Sequence, residues 1–188
     1  WYGRTFQSVN LVGTESFEDV LSRTLDFSKT RDMDWVIGRG WDQNDWEVKD
    51  FPTCAKLDEL FPDKPVVLKR IDGHAVLANG AAMRLAGVTS ETLVEGGEVM
   101  LKNDKCTGIL IDNAMELVQK FIPEASEKEM IDALKTAEKN CFAAGITTVT
   151  DAGLDKPVVE LIRRMHDDGS LKMRIYAMLS DNEENFDH

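Results

Sequence analysis

The chain has 188 residues, of which 43% are hydrophobic and 30% charged, a balance typical of a globular protein. Its 22 basic and 34 acidic side chains give a net charge of -12, which disfavours a nucleic-acid partner because phosphates would be repelled. No apolar run approaches the roughly 20 residues that a membrane-spanning helix needs.

The first half of the chain alternates predicted helices and strands. Apolar spacing predicts helices over 15–27, 56–61 and 75–85, and strands over 34–41 and 66–71. Thr14 or Ser16 is expected to cap the first helix, and Gly87 to end the third.

The middle of the chain follows a different pattern. Two short extended runs, 98–102 and 108–111, flank Asn103-Asp104-Lys105 and predict a small β-hairpin. We therefore expect 89–125 to be an insertion within a single partial domain that spans 1–188.

Regular α/β order returns after residue 125. Ser126 and Glu129 have the spacing of a capping box at the start of a helix that ends at Gly145. The β-branched run 146–150 predicts a buried strand. A further helix between Asp155 and Gly169, and a strand over 173–179, complete the pattern.

Alternating strands and helices predict parallel strands joined by crossover helices. A doubly wound sheet and a piece of a (β/α)8 TIM barrel both fit this order. A complete barrel takes about 250 residues, so this chain could supply only a part of one. The residues alone therefore predict an α/β fold with a small β-hairpin insertion, and both sheet architectures stay open.

Ligands of parallel α/β folds sit at the carboxyl ends of strands, a rule that selects several side chains here. Trp41 and Asp42 follow the first long strand, Asp72 and His74 follow the next, Asp112 follows the run 108–111, and Asp151 follows Thr150. His74 is interpreted as a pocket residue between strand and helix, or as a cap or turn residue. Asp151 is interpreted as a carboxylate at a strand mouth, or as a turn residue.

Two neighbouring side chains have structural interpretations that compete with function. Trp41 could line a pocket, although core packing is the common use of tryptophan. Asp112 is predicted to be the N-cap of a helix from Asn113 rather than a catalytic group. The sequence has no phosphate-binding glycine loop and no Gly-x-Ser-x-Gly elbow. Its three scattered histidines disfavour a self-contained hydrolytic metal centre.

Five blocks in a fixed order carry a family resemblance. They are 35–42 (WVIGRGWD), 65–75 (PVVLKRIDGHA) with Asn79, 85–88 (LAGV), 107–110 (TGIL) and 144–152 (AGITTVTDA). In this order they resemble the amidohydrolase family 3 branch of the metal-dependent amidohydrolase superfamily. That branch includes N-substituted formamide deformylase-like enzymes and exoenzyme-regulatory proteins.

The resemblance implies a parent protein with a distorted (β/α)8 barrel that hydrolyses amide or other C–N bonds with metal-activated water. The fold class that it implies for this chain is α/β, a partial (β/α)8 TIM barrel with a small β-hairpin insertion. It implies one or two divalent metal ions, usually zinc, held by a His-x-His, a carboxylated lysine, two later histidines and an aspartate. None of these ligands can be placed on this sequence. Because the chain opens with Trp1, we expect a piece of a longer parent that binds no catalytic metal and is inactive alone.

The same resemblance implies a small amide-like substrate, in a pocket shaped by Trp41, Asp42, Arg70, His74 and Asp151. One alternative is a non-enzymatic regulatory or binding protein on the same scaffold. Another is a stand-alone α/β domain that binds a small ligand. A truncated barrel exposes strand edges, so self-association is also predicted.

Overall fold

The computed structural model describes residues 2–30, 33–182 and 185. The chain folds into two compact units. The large unit comprises Ser8–Glu124, and the small unit comprises Trp1–Gln7 with Ala125–His188. Both units combine helices with strands, so the fold is α/β.

The large unit is built on a mixed six-stranded sheet with the strand order β1-β2-β3-β4-β6-β5. Strands β1, β2 and β3 are parallel, whereas β4, β6 and β5 pair antiparallel. The strands are β1 (Val9–Asn10), β2 (Val36–Trp41), β3 (Val66–Arg70), β4 (Ala75–Ala78), β5 (Gly97–Lys102) and β6 (Lys105–Asp112). The helices are α1 (Phe17–Lys29), α2 (Ala55–Leu60), α3 (Gly80–Ala86) and α4 (Glu116–Gln119).

Most predicted elements of the large unit are confirmed, including the parallel β2–β3 pair and the β5–β6 hairpin. Ser16 is the cap of α1, because its side chain accepts a hydrogen bond from the Asp19 N–H. The β5–β6 hairpin continues the main sheet through the β4–β6 pairing. Its standing as an insertion over 89–125 stays a prediction.

The predicted helix over 75–85 is wrong in its first half. Ala75–Ala78 forms β4, all four residues of which are buried between β3 and β6. A tight turn at Asp72-Gly73 reverses the chain, with Gly73 at φ 84°. The helix begins only at Gly80, because the Asn79 side chain caps it by accepting from the Ala82 N–H. A short apolar run fits a strand as well as a helix, and tertiary pairing decides between them.

The small unit contains a two-stranded parallel sheet. Its elements are α5 (Glu127–Ala143), β7 (Thr148–Leu154), α6 (Lys156–Asp167) and β8 (Arg174–Leu179). The predicted capping box is confirmed: Glu129 Oε2 accepts from the Ser126 N–H at 2.8 Å, and Ser126 Oγ accepts from the Glu129 N–H. The parallel β7–β8 pair, joined through α6, confirms a predicted crossover.

Strand β7 is not the buried strand that its β-branched residues predict. Thr148, Thr150 and Ala152 are exposed, and only the alternate residues are partly covered. The apolar core of this unit gathers on the other side of the sheet, where Leu154, Leu161, Ile162, Met165 and Leu171 are buried. Composition predicts the strand, but burial depends on what covers its faces.

No helix in the described ranges is both long enough and apolar enough to cross a lipid bilayer.

Candidate functional site

The carboxyl ends of three large-unit strands meet at one edge of the sheet. Strands β2 and β3 are parallel, and β4 runs antiparallel to both β3 and β6. Strands β2, β3 and β6 therefore point the same way and end at Trp41, Arg70 and Asp112. We call this the sheet edge; it also includes Asp42, Asp72 and His74, which follow β2 and β3.

The Arg70–Asp72 ion pair anchors the centre of the sheet edge. Arg70 Nε donates to Asp72 Oδ1 at 3.0 Å, and Arg70 Nη2 donates to Asp72 Oδ2. This pairing lowers the pKa of Asp72 to about 2 and raises the pKa of Arg70, to which Asp42 also contributes. The Arg70 guanidinium lies 5.4 Å from the centre of the Phe51 ring. Arg70 is thus a fixed positive charge at this edge.

His74 lies in the turn between two antiparallel strands, not at the predicted junction of a strand and a helix. Its backbone N–H donates to Asp72 Oδ1 at 3.0 Å, which confirms the turn interpretation. The side chain also points to a carboxylate, because its Nδ1 lies 2.9 Å from Asp112 Oδ1. The turn position and a role in ligand binding are compatible.

Asp112 takes the N-cap position that the sequence predicts, but its side chain does not act as a cap. It precedes the short 3-10 turn Asn113–Met115, but in the described structure its side chain makes no capping hydrogen bond. Its carboxylate bonds His74 instead. The backbone of Asp112 has φ 49° and ψ −123°, a conformation that lies outside the left-handed helical region and that glycine adopts most easily.

Trp41 and Asp42 have clear structural tasks at the sheet edge. Trp41 is only 1% exposed, and its Nε1–H donates to the Leu68 carbonyl at 2.8 Å. Asp42 caps the 3-10 turn Gln43–Asp45, because its Oδ1 accepts from the Asn44 N–H. Trp41 therefore supports the edge from the core, and direct substrate contact by either side chain stays a prediction.

Asp151 lies in the small unit, inside β7 rather than in a turn after a strand. It pairs with Ala177 of β8, three positions before β7 ends at Leu154. Together with mostly apolar side chains of α5 and α6, it lines a cavity of about 600 Å³. Its predicted role in substrate binding is a separate question from that of the sheet edge.

The sheet edge contains two functional candidates that strand-end reasoning undervalued, Asp72 and Asp112. The first has a sequence signal, because Arg70, Asp72 and His74 alternate in Arg-x-Asp-x-His and the Asp can reach both neighbours. The second has no local signal, since 38 residues separate His74 from Asp112. Only the β4–β6 register brings that pair together.

The donor atoms of the sheet edge do not fit a metal site. No group of three His, Cys, Asp or Glu side chains that could hold an ion occurs within residues 2–30, 33–182 and 185. Asp72 is held by Arg70, and Asp112 by His74. These carboxylates are therefore paired with basic side chains at this edge and do not form a set of metal ligands.

Comparison with known proteins shows which proteins this chain is similar to. Residues 2–187 match the model of the amidohydrolase family. YtcJ of Bacillus subtilis (strain 168), which carries the name of an amidohydrolase, is 43% identical over 116 residues, covering 61% of this chain and 22% of YtcJ. Protein LONG AFTER FAR-RED 3 of Arabidopsis thaliana is 36% identical over 154 residues, covering 80% of this chain and 26% of the relative.

The exoenzymes regulatory protein AepA of Pectobacterium carotovorum subsp. carotovorum is 28% identical over 127 residues, covering 65% of this chain and 27% of AepA. A crystal structure of an uncharacterized metal-dependent hydrolase from Pyrococcus horikoshii OT3 superposes with a TM-score of 0.68 at 22% identity. It matches 95% of this chain and 34% of the hydrolase. A second such hydrolase, from Pyrococcus furiosus, has a TM-score of 0.69 at 23% identity, covering 95% of this chain and 35% of that one.

The chain spans about a quarter of the curated relatives and about a third of the solved structures. The structural likeness supports the α/β fold, and the family match extends over nearly the whole sequence. This chain belongs to the amidohydrolase family.

Proposed function

We propose that this chain supplies part of the substrate-binding wall of a metal-dependent amidohydrolase that cleaves amide or other C–N bonds. The observation that carries the proposal is the convergence of Arg70, Asp72, His74 and Asp112 where three strands end. Ligand sites of open α/β sheets lie at such edges. The Arg70 guanidinium there provides a hydrogen-bond donor for a carbonyl oxygen. The His74 imidazole provides a second polar contact.

The hydrolysis itself is carried out by the complete family fold, of which this chain is one part. Water activated by a divalent metal ion, zinc in our proposal, supplies the nucleophile in such enzymes. The chain covers about a quarter of its curated relatives, and its described side chains form no three-ligand group. We therefore propose that the 188-residue chain contributes a part of a (β/α)8 barrel and hydrolyses no amide by itself.

Binding at the sheet edge is testable on the chain as it stands. Titrating a small N-substituted formamide into isotope-labelled protein should shift the His74 ring and Arg70 Nε–H signals. His74→Asn should weaken binding at least about fivefold, the loss of one hydrogen bond of about 1 kcal/mol. His166→Asn is the matched control, because His166 is an exposed histidine of α6 in the small unit.

The titration also has two outcomes that contradict the proposal. One is a formamide that shifts only residues of the small-unit cavity. The other is a formamide that shifts nothing up to its solubility limit. Turnover of the formamide by the isolated chain, detected as released amine, would separately overturn the proposed inactivity.

A non-enzymatic regulatory function is the second candidate, and the similarity to AepA favours it. Reading the coding sequence on both sides of this chain separates the two functions. A His-x-His before it and a lysine with two histidines after it support the enzyme. Their replacement by residues that bind no metal supports a regulatory or binding function.

Self-association is proposed from the small unit. In the part of the chain that is described, β7 and β8 form a two-stranded sheet with no third strand, and the strands at the edges of a sheet are templates for pairing with another chain. Tyr176 and Met178 are exposed on β8. Light scattering over a range of concentrations should show mass rising above that of one chain, and a constant monomer mass contradicts this.

A further inference from the structure

The His74–Asp112 contact is held by the backbone as well as by the two side chains. Nδ1 of His74 and Oδ1 of Asp112 are 2.9 Å apart. The Asp112 N–H also donates to the His74 carbonyl at 3.0 Å, one position beyond the Ala75–Ile111 pair of the β4–β6 ladder. The two residues therefore face each other across neighbouring strands, where directly opposed side chains interact.

A second carboxylate fixes the backbone of His74. Asp72 Oδ1 accepts from the backbone N–H of His74, and Asp72 is itself held by Arg70. Neither the position of His74 nor that of Asp112 depends on a long flexible side chain. A hydrogen bond between two exposed side chains, charged or neutral, adds little to stability, so the His74–Asp112 contact points to orientation of the ring rather than to stabilisation of the fold.

The chemistry of the pair selects one form of the imidazole. An ionised carboxylate only accepts hydrogen bonds, so the neutral ring must carry its proton on Nδ1 to bond Asp112. The other nitrogen, Nε2, is then an acceptor. The His74 side chain is 71% exposed, so that this acceptor is open to a ligand.

We propose that Asp112 is a positioning residue that holds His74 in the Nδ1–H tautomer, so that Nε2 accepts a hydrogen bond from an N–H group of the ligand. The ligand class is then a primary or secondary amide rather than a tertiary one. The choice of an amide rests on the function proposed above, whereas the tautomer follows from the His74–Asp112 geometry alone.

The tautomer can be read directly from histidine ring ¹⁵N shifts in the 188-residue chain. At about pH 8.5, roughly two units above the ordinary histidine pKa, we expect a protonated Nδ1 and an unprotonated Nε2. Asp112→Gly should move the population to the Nε2–H form that histidine favours in water. Glycine suits the position because the φ of Asp112 is 49°.

Asp104→Gly is the matched control. Asp104 is an exposed aspartate of the β5–β6 turn with φ 60°, so this substitution also replaces an aspartate of positive φ by glycine, but away from His74. The control should leave the His74 tautomer unchanged, and the amide spectra of both variants report whether the fold is kept. An Nε2–H form in the unmodified chain, or no change in Asp112→Gly, overturns the tautomer assignment.

The ligand class is tested with N-benzylformamide and its N-methyl derivative, which lacks the N–H. The first should shift the Nε2 signal and bind at least about fivefold more tightly, the effect of one hydrogen bond. Equal binding of both overturns the acceptor role of Nε2. Binding of neither overturns the proposed substrate class, while the tautomer measurement decides the His74–Asp112 assignment independently.

Discussion

The two sheets of this protein are made of similar residues but are covered very differently. In the large unit, Val66, Leu68 and Val76 are fully buried in the six-stranded sheet. In the small unit, Thr148 and Thr150 are exposed, as is Tyr176 on the partner strand. Strand propensity is similar in both, so propensity alone does not decide burial.

The comparison also separates two sources of stability. The large unit has an extensive core of buried side chains, whereas the apolar core of the small unit, among the residues described, is centred on five buried side chains. Burial of apolar surface is the dominant favourable contribution to folding. We therefore expect core substitutions to dominate in the large unit, and local capping to contribute a larger share in the small unit.

The largest loss of folding stability is expected for Leu110→Ala in β6. Leu110 is fully buried, so the substitution leaves a cavity and should cost about 2–5 kcal/mol. Met178→Ala on the exposed side of β8 should change stability by less than about 0.5 kcal/mol. Hydrogen exchange of amides in each unit measures both, and a Met178→Ala cost as large as that of Leu110→Ala would break the comparison.

The second-largest loss of folding stability is expected for Asn79→Ala. The buried Asn79 amide accepts from the Val66 and Ala82 N–H groups and donates to the Phe61 and Lys64 carbonyls. Removing it leaves buried groups without partners, at a cost of about 3 kcal/mol.

Exchange rates of the β3 amides report the loss at Asn79. Asn44→Ala is the control, because Asn44 is exposed and its side-chain amide donates to the nearby Asp42 carboxylate. Equal effects of the two substitutions would show that the Asn79 network contributes nothing beyond an ordinary surface asparagine.

A smaller effect is expected at the start of α5. Ser126→Ala removes one half of the capping box and should destabilise the small unit by about 1 kcal/mol. Ser22→Ala, in the exposed interior of α1, should be neutral or slightly stabilising because alanine is the better helix former. Exchange of the amides of α5 measures the cap, and an unchanged rate in Ser126→Ala contradicts its importance.

The smallest effect is a dependence of stability on pH at the sheet edge. Arg70 lowers the folded-state pKa of Asp72 from 3.8 to about 2. The stability that the Arg70–Asp72 pair contributes is therefore present above about pH 4 and is lost as the pH falls toward 2. Asp72 is 36% exposed, so solvent screening keeps it below about 1 kcal/mol.

Denaturation of the unmodified chain and of Asp72→Asn between pH 6 and pH 2 tests this contribution. The unmodified chain should be the more stable at pH 6, and the difference should shrink as acid is added. A difference that is constant with pH, or that grows in acid, contradicts the ion pair as its source.

Much of the fold was predictable because its signals are local. The capping box at Ser126, the Ser16 cap and the Asn103-Asp104 turn each lie within a few residues of the structure that they specify. The error at Ala75–Ala78 has the opposite origin. Those four residues form a strand because β3 and β6 lie on either side, which no local pattern encodes.

The candidate site was only partly predictable for the same reason. The position of His74 after a strand drew attention to it, and Arg-x-Asp-x-His spacing favours the Arg70–Asp72 pair. Asp112 resembles a cap in sequence and becomes a partner of His74 only through the sheet register. Asp151 looks like a strand-end carboxylate because the sequence suggests that β7 stops at residue 150, whereas it continues to Leu154.

The most direct test of the central claim is the metal content of the purified 188-residue chain after incubation with zinc and exhaustive dialysis. The claim is that these residues form a substrate wall and no metal centre of their own. We predict far less than about one zinc ion per chain, because a catalytic site needs about three protein ligands. About one tightly held zinc per chain, with hydrolysis of a formamide that depends on it, would contradict the account.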